Sequence, residues 1–270
     1  MKTAPLLWPG GKSKIVYALK PHFGEVSCLV EPFVGSAAVF LNTDYPSYIL
    51  ADINKDLITF YETVDENPHD LLACAEPLFA TGNNLDTYLE TKDKFNARTE
   101  DRVIQSAMFM YLNRHGFNGL CRYNRKNEIN VPFGRRTKPL YPKAAVLEMH
   151  EKIRRTDTRF LCGTFDSILT KQTFPQESTI YCDPPYVPWN PTSNFTNYES
   201  SGFSFRDHEQ LMSCMRQLSN DGHKVIVSGS DTVGTREVYK GMEFEVIQVQ
   251  RSIGAKSREK VREVIGFFPK

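Results

Sequence analysis

Apolar residues follow two rhythms along this chain. Through residues 55–112 they recur every three or four positions, as in Leu57, Phe60, Tyr61 and Val64, and again in Val103, Ala107, Met110 and Tyr111. That spacing predicts helices with one face in a core. On either side, short apolar runs end abruptly at Gly, Pro or Asp, the pattern of buried strands. Residues 27–38 read as strand, glycine turn and helix, residues 47–54 as a strand ending in an acid, and residues 159–166 and 178–182 as strands leading into turns. Helices are expected over 13–20 and 206–218, and strands over 223–228, 243–251 and 261–268. The last two are expected to pair as a hairpin, an antiparallel addition at the edge of an otherwise parallel sheet.

Between Arg114 and Lys143 both rhythms stop. Glycines, amides and aromatics interleave there with eight Lys/Arg against one acid, Glu128, in a chain whose net charge is only +1. Such a local excess of charge is the footprint of a nucleic-acid face. An arginine can read guanine with two hydrogen bonds, leucine or proline can meet a thymine methyl, and the remaining residues can hold phosphates. The plainer alternative is a solvated glycine-rich loop. A second basic run, 251–262, is read equally well as phosphate contacts or as a solvated hairpin.

The 270 residues and 40% hydrophobic content suit one large α/β domain with a smaller one inserted or appended. The six cysteines are scattered, without Cys-x-x-Cys or metal-ligand spacing, so they read as reduced, mostly buried thiols of a cytosolic protein. No metal site, signal peptide or membrane-spanning run is expected.

Candidate chemistry concentrates where residues 178–182 end in Asp183-Pro184-Pro185-Tyr186. The prolines stop the strand and leave a stiff loop carrying a carboxylate, a carbonyl and a ring. Asp183 and the Pro184 carbonyl can each accept one N–H of an exocyclic amine while Tyr186 stacks on its base. Two such acceptors would favour a pyramidal nitrogen whose lone pair faces an incoming methyl group. The alternative is a strand end whose Asp caps a turn.

Upstream, the turn at Gly35 lacks Gly-x-Gly-x-x-Gly, and Asp52 closes the next strand where an acid can accept from both ribose hydroxyls. That combination suits S-adenosylmethionine better than a dinucleotide. Phe165 is placed to stack on its adenine. Gly10-Gly11-Lys12 lacks the earlier glycine of a phosphate-binding loop; Lys12 near a small carboxylate, with Trp8 as a packing wall, is balanced against a solvated turn.

In order, Trp-Pro-Gly-Gly-Lys at 8–12, Glu-Pro-Phe-Val-Gly at 31–35, Ile-Leu-Ala-Asp-Ile-Asn at 49–54, Asn-Gly-Leu-Cys-Arg-Tyr-Asn at 118–124, Asn-Val-Pro-Phe-Gly-Arg at 130–135 and Asp-Pro-Pro-Tyr at 183–186 make the chain resemble the Dam-type DNA adenine methyltransferases. The shorter Tyr-Leu-Asn-Arg at 111–114, Asn-Phe-Thr at 194–196 and Arg-Ser-Ile at 251–253 match as well. The resemblance implies a Rossmann-like S-adenosylmethionine-dependent methyltransferase sheet, 1–54 and 144–270, with an inserted helical target-recognition domain, 55–143. It implies methyl transfer to N6 of adenine in double-stranded DNA containing GATC, after base flipping, with no membrane association and no obligate protein partner. Trp8, Lys12, Phe33, Gly35, Asp52, Phe165 and Asp183 would then line the cofactor site, and Asp183, Pro184, Pro185 and Tyr186 would hold the adenine. Phe117 would wedge into the base stack, with Asn118 beside it. Leu120, Arg122 and Pro132 would read bases, and Asn124, Asn130 and Arg135 would contact the backbone. The chain would work in the cytoplasm, on the nucleoid.

There are departures. Leu7 stands where cellular members usually carry a lysine associated with the first guanine, Pro9 replaces a common alanine, and residues 228–232 lack the usual asparagine-histidine pair. Two other readings remain at this point: a catalytically silent DNA-binding module, and the same chemistry on RNA or protein. A cytosine-C5 enzyme is disfavoured because Cys182 precedes the prolines inside a strand.

Overall fold

The computed structural model describes residues 1–187, 203–250 and 260–269. The segment carrying Asn194, Phe195 and Thr196 and nearly all of the second basic run lie outside them. In chain order the regular elements are α1 (Val16–Phe23), β1 (Cys28–Glu31), α2 (Ala38–Asn42), β2 (Ser47–Asp52), α3 (Lys55–Glu66), α4 (Pro68–Thr81), α5 (Leu85–Ala97), α6 (Arg102–His115), α7 (Lys143–Arg155), β3 (Asp157–Cys162), α8 (Phe165–Lys171), β4 (Thr179–Cys182), α9 (Phe205–Asn220), β5 (Lys224–Ser230), α10 (Val233–Val238), β6 (Glu243–Gln250) and β7 (Lys260–Phe267). No helix among the described residues is long and apolar enough to cross a membrane.

The chain forms two compact units. One comprises Met1–Ser13, Gly35–Thr43 and Asn54–Cys162; the other comprises Lys14–Val34, Asp44–Ile53 and Gly163–Lys270. In the first, helices start where the sequence supplies acceptors for their unpaired N–H groups. Asn54 accepts from Leu57 N, Asn84 from Thr87 N, and Asp101 from Val103 N and Ile104 N. The periodicity predicts one buried stripe on α6, yet every residue from Ser106 to His115 is buried. The cause is tertiary, since α3, α4 and α5 all pack on this helix.

In the second unit six strands lie in the order β2-β1-β4-β5-β7-β6. The first four are parallel, whereas β7 runs antiparallel between β5 and β6. This is the expected Rossmann-like sheet with its edge hairpin. β1 and β4 are buried at every position, which explains why their sequences read as unbroken apolar runs. The N-terminal helix runs later than the predicted 13–20 because fully buried Leu19 and Phe23 carry it past Pro21.

The cysteines depart from the reading of mostly buried thiols. Cys28, Cys182 and Cys214 are buried, Cys121 is half-buried, and Cys74 and Cys162 are exposed. Cys74 lies in α4 outside its buried set of Pro68, Leu71, Leu72 and Ala75, and Cys162 closes β3, so the lack of a pairing or metal-ligand spacing did not imply burial.

Candidate active site

The strand β4 ends as its sequence requires, because Pro184 and Pro185 cannot donate to a sheet ladder. Pro184 is buried, Pro185 is exposed, and Asp183 and Tyr186 are half-buried. Ser228 of β5 donates to Asp183 Oδ1 at 2.8 Å. Its oxygen also lies 2.9 Å from Tyr181 Oη. The serine proton is committed to the carboxylate, so the Tyr181 hydroxyl is the donor in that second bond. A relay from buried Tyr181 through Ser228 thus holds one oxygen of the Asp183 carboxylate. Burial, with Asp183 nearby, pushes the Tyr181 phenol well above its ordinary pKa, so it remains a donor.

One residue beyond the prolines, Tyr186 Oη donates to Glu263 Oε2 of β7 at 3.0 Å. Glu263 is only 6% exposed. The inserted antiparallel strand therefore anchors the far end of the tyrosine through its hydroxyl.

The same unit assembles three residues assigned to the cofactor. Val34 N donates to Ala51 O at 2.8 Å and Gly163 N to Asp52 O at 3.1 Å, drawing the turns after β1 and β3 toward the end of β2. Phe33 and Phe165 consequently stack with ring centroids 5.7 Å apart, and Phe203 packs on both. Asp52 is half-buried at the strand end. A cavity of about 240 Å³ between α8 and α9, lined by residues such as Phe174, Cys214 and His223, contains none of these side chains.

The other unit holds Trp8, Lys12 and Gly35. Gly35 adopts φ +46, and a Cβ there would lie 2.9 Å from Trp8 Cδ1, so glycine is required for the indole to cover the turn. Lys12 is buried, and its ammonium donates to Gly10 O at 2.8 Å.

In this unit the segment following α6 presents the expected recognition residues. Phe117, Asn118, Arg122, Asn130, Pro132 and Arg135 are exposed, while Leu120 and Asn124 are half-buried. Arg122 donates to both the side-chain and backbone oxygens of Asn130 at 2.9 and 3.1 Å. The Asn124 side chain closes its own turn, accepting from Lys126 N and Glu128 N and donating to Glu128. Arg114 does not belong to this face. It is 5% exposed and ties the Pro5 and Ala4 carbonyls, and burial lowers its pKa to about 10.

Ser228, Tyr181 and Glu263 were not singled out from sequence. A serine within the apolar run of β5 and a glutamate within that of β7 are the signals that could have found them, since a buried polar side chain demands a partner.

A family model described as D12 class N6 adenine-specific DNA methyltransferase matches residues 8–253. The DNA adenine methylase of Serratia marcescens is 40% identical, covering 97% of this chain and 97% of that protein. The DNA adenine methylase of a Vibrio cholerae O1 strain is 39% identical over 97% of this chain and 95% of its own length. That of Escherichia coli K12 is 38% identical over 97% and 94%. Agreement of this extent, spanning both units and the turn after β4, makes the chain a member of the D12 class of N6 adenine-specific DNA methyltransferases.

Proposed function

We propose that this adenine-specific enzyme takes its methyl group from S-adenosylmethionine and acts on adenine in double-stranded GATC, after the base has turned out of the helix. The observation that carries the reading is the Asp183 carboxylate, fixed by Ser228 at the edge of a turn that also offers the Pro184 carbonyl and the Tyr186 ring. Two acceptors and a stacking face suit a flipped adenine and its amine. The amine is a weak nucleophile because its lone pair is delocalised into the ring. Hydrogen bonds to Asp183 and Pro184 favour the pyramidal form, in which that lone pair points away from both acceptors.

The donor set fits an adenosine without phosphates. Asp52 suits a ribose diol, Phe33 and Phe165 suit an adenine, and the turn at Gly35 is covered by Trp8 rather than left open for a pyrophosphate. When bound, S-adenosylmethionine supplies an electrophilic sulfonium methyl. Asp52, Phe33 and Phe165 are the residues assigned to holding it on these observations; Trp8, Lys12 and Gly35 are assigned to it by the family resemblance alone.

For target recognition we assign residues 55–143, and for catalysis 1–54 and 144–270. Phe117 is the wedge, with Asn118 beside it. Leu120, Arg122 and Pro132 read bases, and Asn124, Asn130 and Arg135 contact the backbone. Leu7 exchanges two 2.8 Å hydrogen bonds with the Asn113 amide at the root of this segment. Its aliphatic side chain gives guanine no hydrogen bond. Because its substrate is DNA, we assign the protein to the cytoplasm, on the nucleoid.

The test is labelled S-adenosylmethionine with duplexes varying each base of GATC in turn. Changing the adenine should abolish incorporation, and changing the inner bases should cost about 1–3 kcal/mol each. Changing the outer guanine should cost less. Equal labelling of all duplexes would overturn the sequence assignment.

A further inference from the structure

We propose that Tyr123 is a positioning residue for target choice: by tying its strand to Asp56 it holds Arg122, its neighbour in the chain, in place for reading a base. This rests on the reading of Arg122 as a base-reading residue.

Residues 121–130 form a short antiparallel ribbon. Tyr123 bridges to Ile129, Asn130 N donates to Arg122 O at 3.1 Å, and Asn124 N donates to Glu128 O at 2.9 Å. Side chains alternate across such a ribbon. Arg122 is accordingly exposed, whereas Cys121 and Tyr123 on either side of it are half-buried and meet the start of α3. There the Tyr123 hydroxyl donates to Asp56 Oδ2 at 2.6 Å, and Asn54 Nδ2 donates to Cys121 Sγ at 3.4 Å. An ionised carboxylate can only accept, so the phenol proton is directed at Asp56. Burial pushes that phenol well above its ordinary pKa, and the proton stays on it at neutral pH.

Asp56 is itself held. Arg98, which follows α5, meets it with two hydrogen bonds of 2.6 and 2.8 Å, and the same guanidinium lies 4.2 Å from the centroid of the Phe95 ring. The opposite strand of the ribbon is tied to α5 by Asn96, which pairs with both backbone groups of Ile129 at 3.1 and 2.8 Å. Both strands are therefore referred to one platform, α3 joined to α5. A two-stranded ribbon is marginal in water by itself. Loss of the Tyr123 hydroxyl would loosen the strand that carries Arg122 while the Ile129 strand kept its own tie. Two hydrogen bonds to one guanine demand a guanidinium fixed in position and plane, whereas attraction to phosphates is independent of sequence and tolerates a small shift.

Tyr123→Phe keeps the ring and the pairing of Arg98 with Asp56, and removes only the hydroxyl. Affinities for a GATC duplex and for an unrelated duplex are measured by fluorescence anisotropy, with the thermal midpoint alongside. The ratio of the two affinities should fall about five- to ten-fold, while affinity for the unrelated duplex stays within about two-fold. Asp56→Ala removes the other partner and should lower the ratio at least as far. The double variant should go no lower than Asp56→Ala alone, because one hydrogen bond can be lost only once. An unchanged ratio in Tyr123→Phe, equal weakening of both duplexes, or independent losses in the double variant would overturn the proposal.

If Asp56→Ala does not fold, the ratio in Tyr123→Phe decides by itself. Arg122→Ala is run alongside. A full GATC preference in that variant would remove Arg122 from the readout and the proposal with it, whereas a lost preference there beside an intact one in Tyr123→Phe would remove only the role of Tyr123.

Discussion

In the turn after β4, side chains from other elements grip the turn: Ser228 holds Asp183, and Glu263 holds Tyr186. In the segment from Gly116 to Arg135 the grip is on the backbone instead. Asn96 both donates to Ile129 O and accepts from Ile129 N, Tyr88 donates to Val131 O, and Phe117 N pairs with Pro132 O. The tips of Phe117 and Arg135 are left in solvent, whereas exposed Arg122 is held against Asn130. The contrast follows from the two tasks. A methyl transfer needs acceptors fixed before substrate arrives, so their partners are buried. On the proposed reading, side chains that meet DNA must offer their hydrogen bonds to the duplex, so the backbone that carries them is fixed from below and Arg122 would exchange its bonds to Asn130 for the duplex.

The largest expected effect breaks the preset side. Asp183→Ala removes an acceptor from the amine and should reduce methyl transfer by about 10³-fold or more, the scale of losing a preorganised transition-state contact. DNA affinity, measured by fluorescence anisotropy, should stay within about two-fold because the recognition segment is untouched. A variant that still turns over at an ordinary rate would end the assignment. Ser228→Ala is milder. It keeps the carboxylate but frees it from a hydrogen bond worth about 1.5–3 kcal/mol when one partner is charged, so kcat should fall about 10–100-fold. An unchanged kcat would show that Asp183 is aimed by something else.

The next effect falls on the other side of the contrast. Gly119 has φ +64, and a Cβ there would sit 2.4 Å from Leu7 Cβ. Gly119→Ala incurs about 1 kcal/mol for the left-handed conformation and must also displace Leu7. DNA affinity should drop about ten-fold while kcat at saturating duplex changes little. A loss confined to kcat would show that the two regions are not held independently.

Much of the preset side was legible because its causes are local. Two prolines after a buried apolar run announce where β4 stops, and the strand runs announce the sheet. The partners were not legible in the same way. Ser228 is 45 residues from Asp183, and Glu263 is 77 from Tyr186, so only the fold brings them together. Charge counting had a related limit. It placed Arg114 on the basic face, although it is buried and holds the N-terminal strand of chain. Sequence gives a residue's charge without saying whether a carbonyl of the same protein has already taken it.

The smallest effect tests whether an exposed tip acts alone. Arg135 is exposed at φ +50 in the turn after Gly134, whose N–H is tied to His115 O. Removing its guanidinium should leave the backbone path intact, because the anchoring hydrogen bonds come from Asn96 and Tyr88. If Arg135 neutralises one phosphate, Arg135→Ala should weaken GATC and unrelated duplexes by the same factor. The slope of log affinity against log salt should fall by about 0.9. Unequal weakening would move Arg135 from the backbone to the bases. An unchanged slope would leave it off the duplex, and the boundary of the recognition face would then lie before Gly134.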